Sequence, residues 1–197
     1  MSVKIVVGVD IGGTSIKVGI CNIEGELLHT YEGPTEVEKG SDTVCDNIAA
    51  YARLIVEQSS YDWAQVEGVG IGIAGFLDIK RGFVHKSVNL FFENVPLKDI
   101  LEEKLGKKVL VNNDANVAAL GEAWAGAGRG ISDCVCYTLG TGVGGGVSKA
   151  GEFLFEQIRE VFHKSTPDMA QEGVEIVPAI LGNDAGVVGA AGLIIRS

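Results

Sequence analysis

Four short segments carry residue types and spacings suited to phosphate and hydroxyl chemistry. The first is Asp10-Ile11-Gly12-Gly13-Thr14-Ser15-Ile16-Lys17, in the turn between two apolar runs. Paired glycines let a backbone approach a ligand closely, and successive N–H groups in such a turn form an anion-binding concavity. A carboxylate at the strand end can hold Mg²⁺ through water. The same residues would also make a Gly-Gly hairpin with an Asp cap. The second segment, Gly140-Thr141-Gly142-Val143-Gly144-Gly145-Gly146, places five glycines in seven residues directly after an apolar run. It reads as a second phosphate cradle or as a flexible loop. No GK[ST] follows it and no acidic residue lies at a second strand end about 20 residues on, so neither the P-loop nor the dinucleotide fingerprint fits. The third, Asn112-Asn113-Asp114-Ala115-Asn116, stands where a strand meets a helix. Asp114 there is either an ordinary N-cap or a base that accepts a hydroxyl proton beside an orienting amide. The fourth, Leu181-Gly182-Asn183-Asp184-Ala185-Gly186, precedes a last apolar helix. It reads as a capped, closely packed helix start or as a helix end facing a nucleotide.

Regular elements must position these segments. Runs of β-branched and apolar residues predict strands over 3–10, 15–23, 26–31, 68–74, 108–111, 133–139 and 174–179. Helical spacing covers 42–58, with Ser41 as the candidate N-cap, and 150–162; Pro96 opens another helix that Gly106 closes. A helix follows Asn113, and a Gly-interrupted apolar one covers 185–195. The order is α/β with an antiparallel start. No low-complexity linker divides the chain. The expected division is an N-terminal lobe over 1–112, a second, truncated lobe over 113–183, and a last helix near 184–197 packing back on the first lobe.

Composition removes whole classes of function. The chain of 197 residues is 46% hydrophobic and 21% charged, so a packed core is expected and disorder is not. With 16 Lys+Arg against 26 Asp+Glu the net charge is −10, which disfavours nucleic acid as a partner. The longest uncharged run, 134–148, has 15 residues and five glycines, too short and glycine-rich for a membrane span. Lys4 and Asp10 near the start argue against a secretory signal, and a cytoplasmic location follows as the expectation. Cys21, Cys45, Cys134 and Cys136 lack zinc spacing and read as buried free thiols, the last two sharing one face of a strand.

Taken in order, DIGGTSIK, GIGIAGFLD, SVNLFFENVPL, VNNDANVAALGE and LGTGVGGG resemble the ROK family of sugar kinases, most of all its bacterial glucose-phosphorylating members. The resemblance runs from Val7 to about Gly146 and resumes in GGGVSKAGEFLFEQI and LGNDAGVVGAA. It implies an actin-like ATPase/hexokinase (ribonuclease H-like) fold in two lobes. It also implies transfer of phosphate from MgATP to a hexose, glucose foremost. Matched residue by residue, it gives Asp10, Gly12, Gly13, Thr14 and Lys17 to the first phosphate motif, with Asp10 toward Mg²⁺ through water. Gly140, Thr141, Gly142 and Gly144 fall to the second motif. Asp114 becomes the general base and Asn113 a sugar ligand. Gly75 and Asn89 line the sugar cleft, and Gly182, Ala185 and Gly186 lie on the adenosine side.

The resemblance also breaks. The family's AGExGH sugar clasp and CxCGxxGCxE zinc motif have no counterpart: Ala150-Gly151-Glu152 runs on into Phe153-Leu154-Phe155. No zinc is therefore expected. Gly144-Gly145-Gly146-Val147-Ser148 serves both as the end of the phosphate loop and as the start of a later family segment. That double use suggests an internal deletion between two similar stretches. The second lobe then lacks sheet partners and is expected to be loose, aggregation-prone or dimerised. A non-catalytic remnant is the alternative to an active kinase. A family repressor would need a DNA-binding segment ahead of Asp10, for which this sequence leaves no room, and other actin-like ATPases or acetate-kinase-type enzymes lack the NNDAN segment.

Overall fold

The computed structural model describes residues 3–137 and 151–197. Its centre is a five-stranded sheet in the order β3-β2-β1-β4-β8, built from β1 (Ile5–Ile11), β2 (Ser15–Asn22), β3 (Leu27–Pro34), β4 (Val66–Ile73) and β8 (Val109–Asn113). The first three strands form an antiparallel meander, while β4 and β8 run parallel to β1. This is the ribonuclease H-like arrangement of the actin and hexokinase fold, of which the chain covers part. A smaller antiparallel sheet joins β5 (Phe76–Asp78), β6 (Phe83–Ser87) and β7 (Phe92–Val95). Sequence periodicity did not reveal it, because strands of three to five residues carry too little alternation and depend on nonlocal pairing.

Helices cover both faces of the large sheet, as β1, buried along nearly its whole length, requires. On one face Ile5, Val7, Val9 and Ile11 pack in one cluster with Val44, Cys45, Ile48, Ala52 and Ile55 of α1 (Ser41–Glu57) and with Leu97, Leu101 and Leu105 of α2 (Leu97–Leu105). On the other face Val6 and Cys21 meet Trp124 of α3 (Asp114–Ala125) and Val188 and Ala191 of α6 (Ala185–Ile195). The period of two along β1 sorts its side chains between the two layers. α2 runs between Pro96 and a left-handed Gly106, as expected. α1 is capped by Gly40 at φ 94°, and Ser41 is its first helical residue rather than its cap.

Glycine sets the depth of the α6 layer. A Cβ on Gly70 would fall 1.7 Å from the Ala190 carbonyl oxygen, and one on Gly8 2.0 Å from that of Val187. On the side of α6 toward α3, a Cβ on Gly189 would meet the Val117 carbonyl oxygen at 1.5 Å. Backbone therefore lies on backbone: the strand glycines Gly8 and Gly70 seat α6 on the sheet, and its own Gly189 seats it against α3.

Among the described residues, two expected strands do not form. Residues 133–137 and 174–179 are irregular, and among the described residues neither has a ladder partner. β-branched composition alone does not make a strand without an edge to join. Cys134 is consequently exposed and Cys136 half-buried, correcting their assignment to the core, whereas Cys21 and Cys45 are buried as expected. The helices α4 (Gly151–Ser165) and α5 (Asp168–Gln171) complete the chain between these segments. Among the described residues no helix is long and apolar enough to cross a membrane.

Two outcomes follow from this packing. Gly70→Ala should destabilise the chain by about 3 kcal/mol or more in urea unfolding, since the backbone it meets cannot rotate away. Gly106→Ala, at φ 63° with nothing within 4 Å, should cost only about 1–2 kcal/mol. Burial pushes the thiols of Cys21 and Cys45 up to about 12 and about 11. At pH 8 a thiol reagent should label Cys134 in the native chain and leave Cys21 and Cys45 unlabelled until denaturant is added; native labelling of either would contradict the packing.

Candidate active site

The parallel strands β1, β4 and β8 end level with one another, with Ile11 beside Ile73 and Ile73 beside Asn113. Asp10, Gly75 and Asp114 therefore gather at the carboxyl ends of adjacent strands, where open α/β sheets bind their ligands. Asn113 is the N-cap of α3, its Oδ1 accepting the Ala115 N–H at 3.0 Å. Asp114 is the first helical residue and not the cap. Among the described residues no hydrogen-bond donor reaches the Asp114 carboxylate. Asn112 Oδ1 accepts from the Asn113 N–H at 2.8 Å and from Asn116 Nδ2 at 3.0 Å, which stiffens the strand-to-helix junction.

The Asp10-to-Lys17 turn is held from below. The Gly12 N–H donates to the Ser15 carbonyl at 2.9 Å, and the Thr35 N–H donates to the Thr14 carbonyl at 3.0 Å. The buried Thr35 hydroxyl donates to the Gly12 carbonyl at 2.7 Å. Thr35 lies 21 residues beyond Thr14 in a polar stretch, and nothing in the sequence marks it out. Gly13 abuts Asn89, whose carbonyl oxygen would lie 3.1 Å from a Cβ on that glycine.

Charge concentrates where these elements meet. Burial, and then the neighbouring Asp114, hold the Asp10 carboxyl above its ordinary value, while Lys17 pulls it partly back. Lys17 forms an ion pair with Asp184 and also donates to the Asn183 carbonyl at 3.3 Å. Gly186, in the first turn of α6, presses against Asp10: a Cβ there would lie 2.3 Å from Oδ2. Two segments far apart in sequence thus share one site. Ala185 is likewise buried, whereas Gly182 is exposed at φ 55°. Gly75 and Asn89 lie exposed on the side of the small sheet. Gly140, Thr141, Gly142 and Gly144 lie outside the described residues.

Glu122 is a further functional candidate that sequence reasoning passed over. This buried carboxylate, near the end of α3, accepts the N–H groups of Ala127 at 2.8 Å, Ile180 at 3.2 Å and Leu181 at 2.8 Å. It ties the helix that begins at Asp114 to the turn that presents Asp184. A lone acid within the apolar stretch AALGEAWAG was the available signal.

Among the described residues no group of three or more potential ligands could cage a metal ion. A single carboxylate beside a phosphate-binding turn suits Mg²⁺, which keeps several waters and takes phosphate oxygens as its other ligands. Asp10 is the residue that would hold it.

Residues 6–155 match the ROK family. A glucokinase of Halalkalibacterium halodurans is 41% identical over 154 residues, which cover 78% of this chain and 47% of the relative. One from Thermotoga maritima is 44% identical over 149 residues, covering 75% and 45%. A crystal structure of a ROK family glucokinase from Streptomyces griseus, in complex with glucose and AMPPNP, superposes with a TM-score of 0.62 at 42% identity. That superposition covers 70% of this chain and 42% of the other. The chain spans about half the length of the curated relatives it matches. By the extent of the family match and the strand order that carries it, the chain belongs to the ROK family.

Proposed function

We propose that the chain carries the catalytic half-site of an ATP-dependent hexose kinase acting on glucose. The observation that carries this reading is the convergence of Asp10, Lys17 and Asp114 at the ends of β1, β2 and β8. In the proposed reaction Asp114 accepts the proton of the attacking sugar hydroxyl. The new O–P bond forms at the γ-phosphorus, and the bond to the β-phosphate oxygen breaks, its electron pair leaving with ADP. Asn113, Asn89 and Gly75 orient the sugar. Gly12, Gly13, Thr14 and Lys17 receive phosphate oxygens, as do Gly140, Thr141, Gly142 and Gly144. Gly182, Ala185 and Gly186 border the nucleotide. Mg²⁺ bound with ATP would supply charge neutralisation, and Asp10 would hold it through water. Positioning and charge compensation are most of what phosphoryl transfer needs. A reaction that consumes ATP and sugar fits a cytoplasmic setting and an early step of sugar breakdown.

A second reading is a non-catalytic remnant. It is favoured by the run of Glu152 into Phe153-Leu154-Phe155, where the family's sugar clasp would stand.

Glucose-dependent ADP formation by the purified chain decides between the two. Turnover that falls at least about 100-fold in Asp114→Asn is the expected result. A folded chain that binds MgATP without turnover would support the remnant.

Asp10 yields a separate expectation with a definite sign. Its folded-state value is raised, so the fold binds the proton more tightly than the unfolded chain does. Ionised Asp10 then costs stability. That cost is absent below the ordinary value of 3.8 and grows as pH rises from there to the raised value. Asp10→Asn should raise the Tm at pH 7 by a few degrees, lose that gain near pH 3, and weaken MgATP binding. A lower Tm at pH 7 would show that the carboxylate is there for the fold and not for a ligand.

A further inference from the structure

The two hydrogen bonds of Thr35 set the direction of the turn they hold. Thr35 follows directly on β3, is fully buried, and meets the Asp10-to-Lys17 turn twice. Its hydroxyl donates to the Gly12 carbonyl at 2.7 Å and its N–H to the Thr14 carbonyl at 3.0 Å. In a trans peptide unit the C=O and the N–H point in opposite directions. The bound carbonyls belong to the Gly12–Gly13 and Thr14–Ser15 units. The N–H groups of Gly13 and Ser15 are therefore both turned away from Thr35. Among the described residues the Gly13 N–H meets no acceptor. Neighbouring N–H groups turned to one side form a concavity for an anionic oxygen.

Thr35 is itself held from outside the turn. Asn47 Nδ2, on α1, donates to the Thr35 carbonyl at 3.3 Å and to Glu36 Oε2 at 3.2 Å. The Tyr51 hydroxyl, one helical turn further on, donates to the Pro34 carbonyl at 3.0 Å. The chain is thus tied to α1 on both sides of Thr35, and α1 is anchored by its apolar face in the core. Glu36 takes φ 60°, a left-handed backbone that few non-glycine residues adopt, immediately beside the residue that orients the turn.

We propose that Thr35, held by Asn47, is a positioning residue for nucleotide binding: it aims the Gly13 and Ser15 N–H groups at phosphate oxygens of MgATP. This inference rests on the kinase reading above and names residues that reading does not use. Thr35 touches no substrate and acts only through the two carbonyls. Valine matches its shape and lacks the donor, whereas serine keeps the hydroxyl, so the two variants separate the hydrogen bond from the packing.

The test is titration of the ¹⁵N-labelled full chain with MgATP. The Gly13 and Ser15 amides should shift in the wild-type chain. Thr35→Val should raise the Kd about tenfold and abolish those two shifts, while the other amides that MgATP moves still respond. Thr35→Ser should stay within about threefold of the wild-type Kd. MgATP binding that leaves Gly13 and Ser15 unmoved in the wild-type chain overturns the positioning role and leaves the nucleotide site standing. A Thr35→Val chain with the wild-type Kd overturns it as well. So does one in which every ligand-induced shift is lost together, since that marks a residue needed for the fold alone. If Thr35→Val does not fold, Asn47→Ala carries the test: it should raise the Kd about threefold and diminish the same two shifts, and an unchanged Kd overturns the proposal. If the folded wild-type chain binds no MgATP, the kinase reading fails and the positioning role with it.

Discussion

The close approach of α6 to the central sheet governs the rest of the structure. Its backbone lies directly on Gly8 of β1 and Gly70 of β4 on one side and, at Gly189, on the backbone of α3 on the other. Contact of this kind cannot be adjusted by rotamer changes, so the helix has one seat. That seat brings Gly186 against the Asp10 carboxylate and Asp184 to Lys17. A residue near position 10 and one near position 184 thus become neighbours through glycines that carry no functional group.

α3 extends the same constraint to the other carboxylate. Its first residue, Asp114, faces Asp10, and near its end Glu122 gathers the backbone of Ile180 and Leu181. Each end of the helix therefore fixes a different part of one site. The electrostatic cost is visible: Asp10 is held above its ordinary value by burial and by Asp114, with only partial relief from Lys17. Two acids gathered without full neutralisation are what the proposed Mg²⁺–phosphate site would require.

The elements around the large sheet were legible in the sequence to the extent that each announces itself locally. β1, β4, α1, α2 and α6 carry strong periodicity or clear caps, and the turns at Asp10 and Asp114 stand at element junctions. What could not be read depends on distant partners. Thr35 acts only because β3 returns beside the Gly12 turn, and Glu122 only because the tail folds back over α3. The β5-β6-β7 sheet exists through pairing, as each strand is too short to be patterned. The reverse error has the same cause. Residues 133–137 and 174–179 have strand composition, but among the described residues no neighbouring edge turns composition into a strand. The family resemblance supplied what local physics did not, namely the expectation that the four segments belong to one site.

Lys17 shows how such a site can be assembled without being locked. Its charge is taken by Asp184, and both side chains keep access to water, at 24% and 43% exposure. An ion pair that is partly solvated is worth about 0–1 kcal/mol. A doubly charged phosphate group offers the same ammonium more charge and more acceptor atoms, so exchanging Asp184 for a phosphate oxygen costs little. Asp184 sits on the element that also brings Gly186 to Asp10. A ligand that draws Lys17 away leaves α6 anchored by its glycine contacts, which owe nothing to charge. The fold's rigidity is thus carried by backbone packing, and the charged residues remain free to change partners.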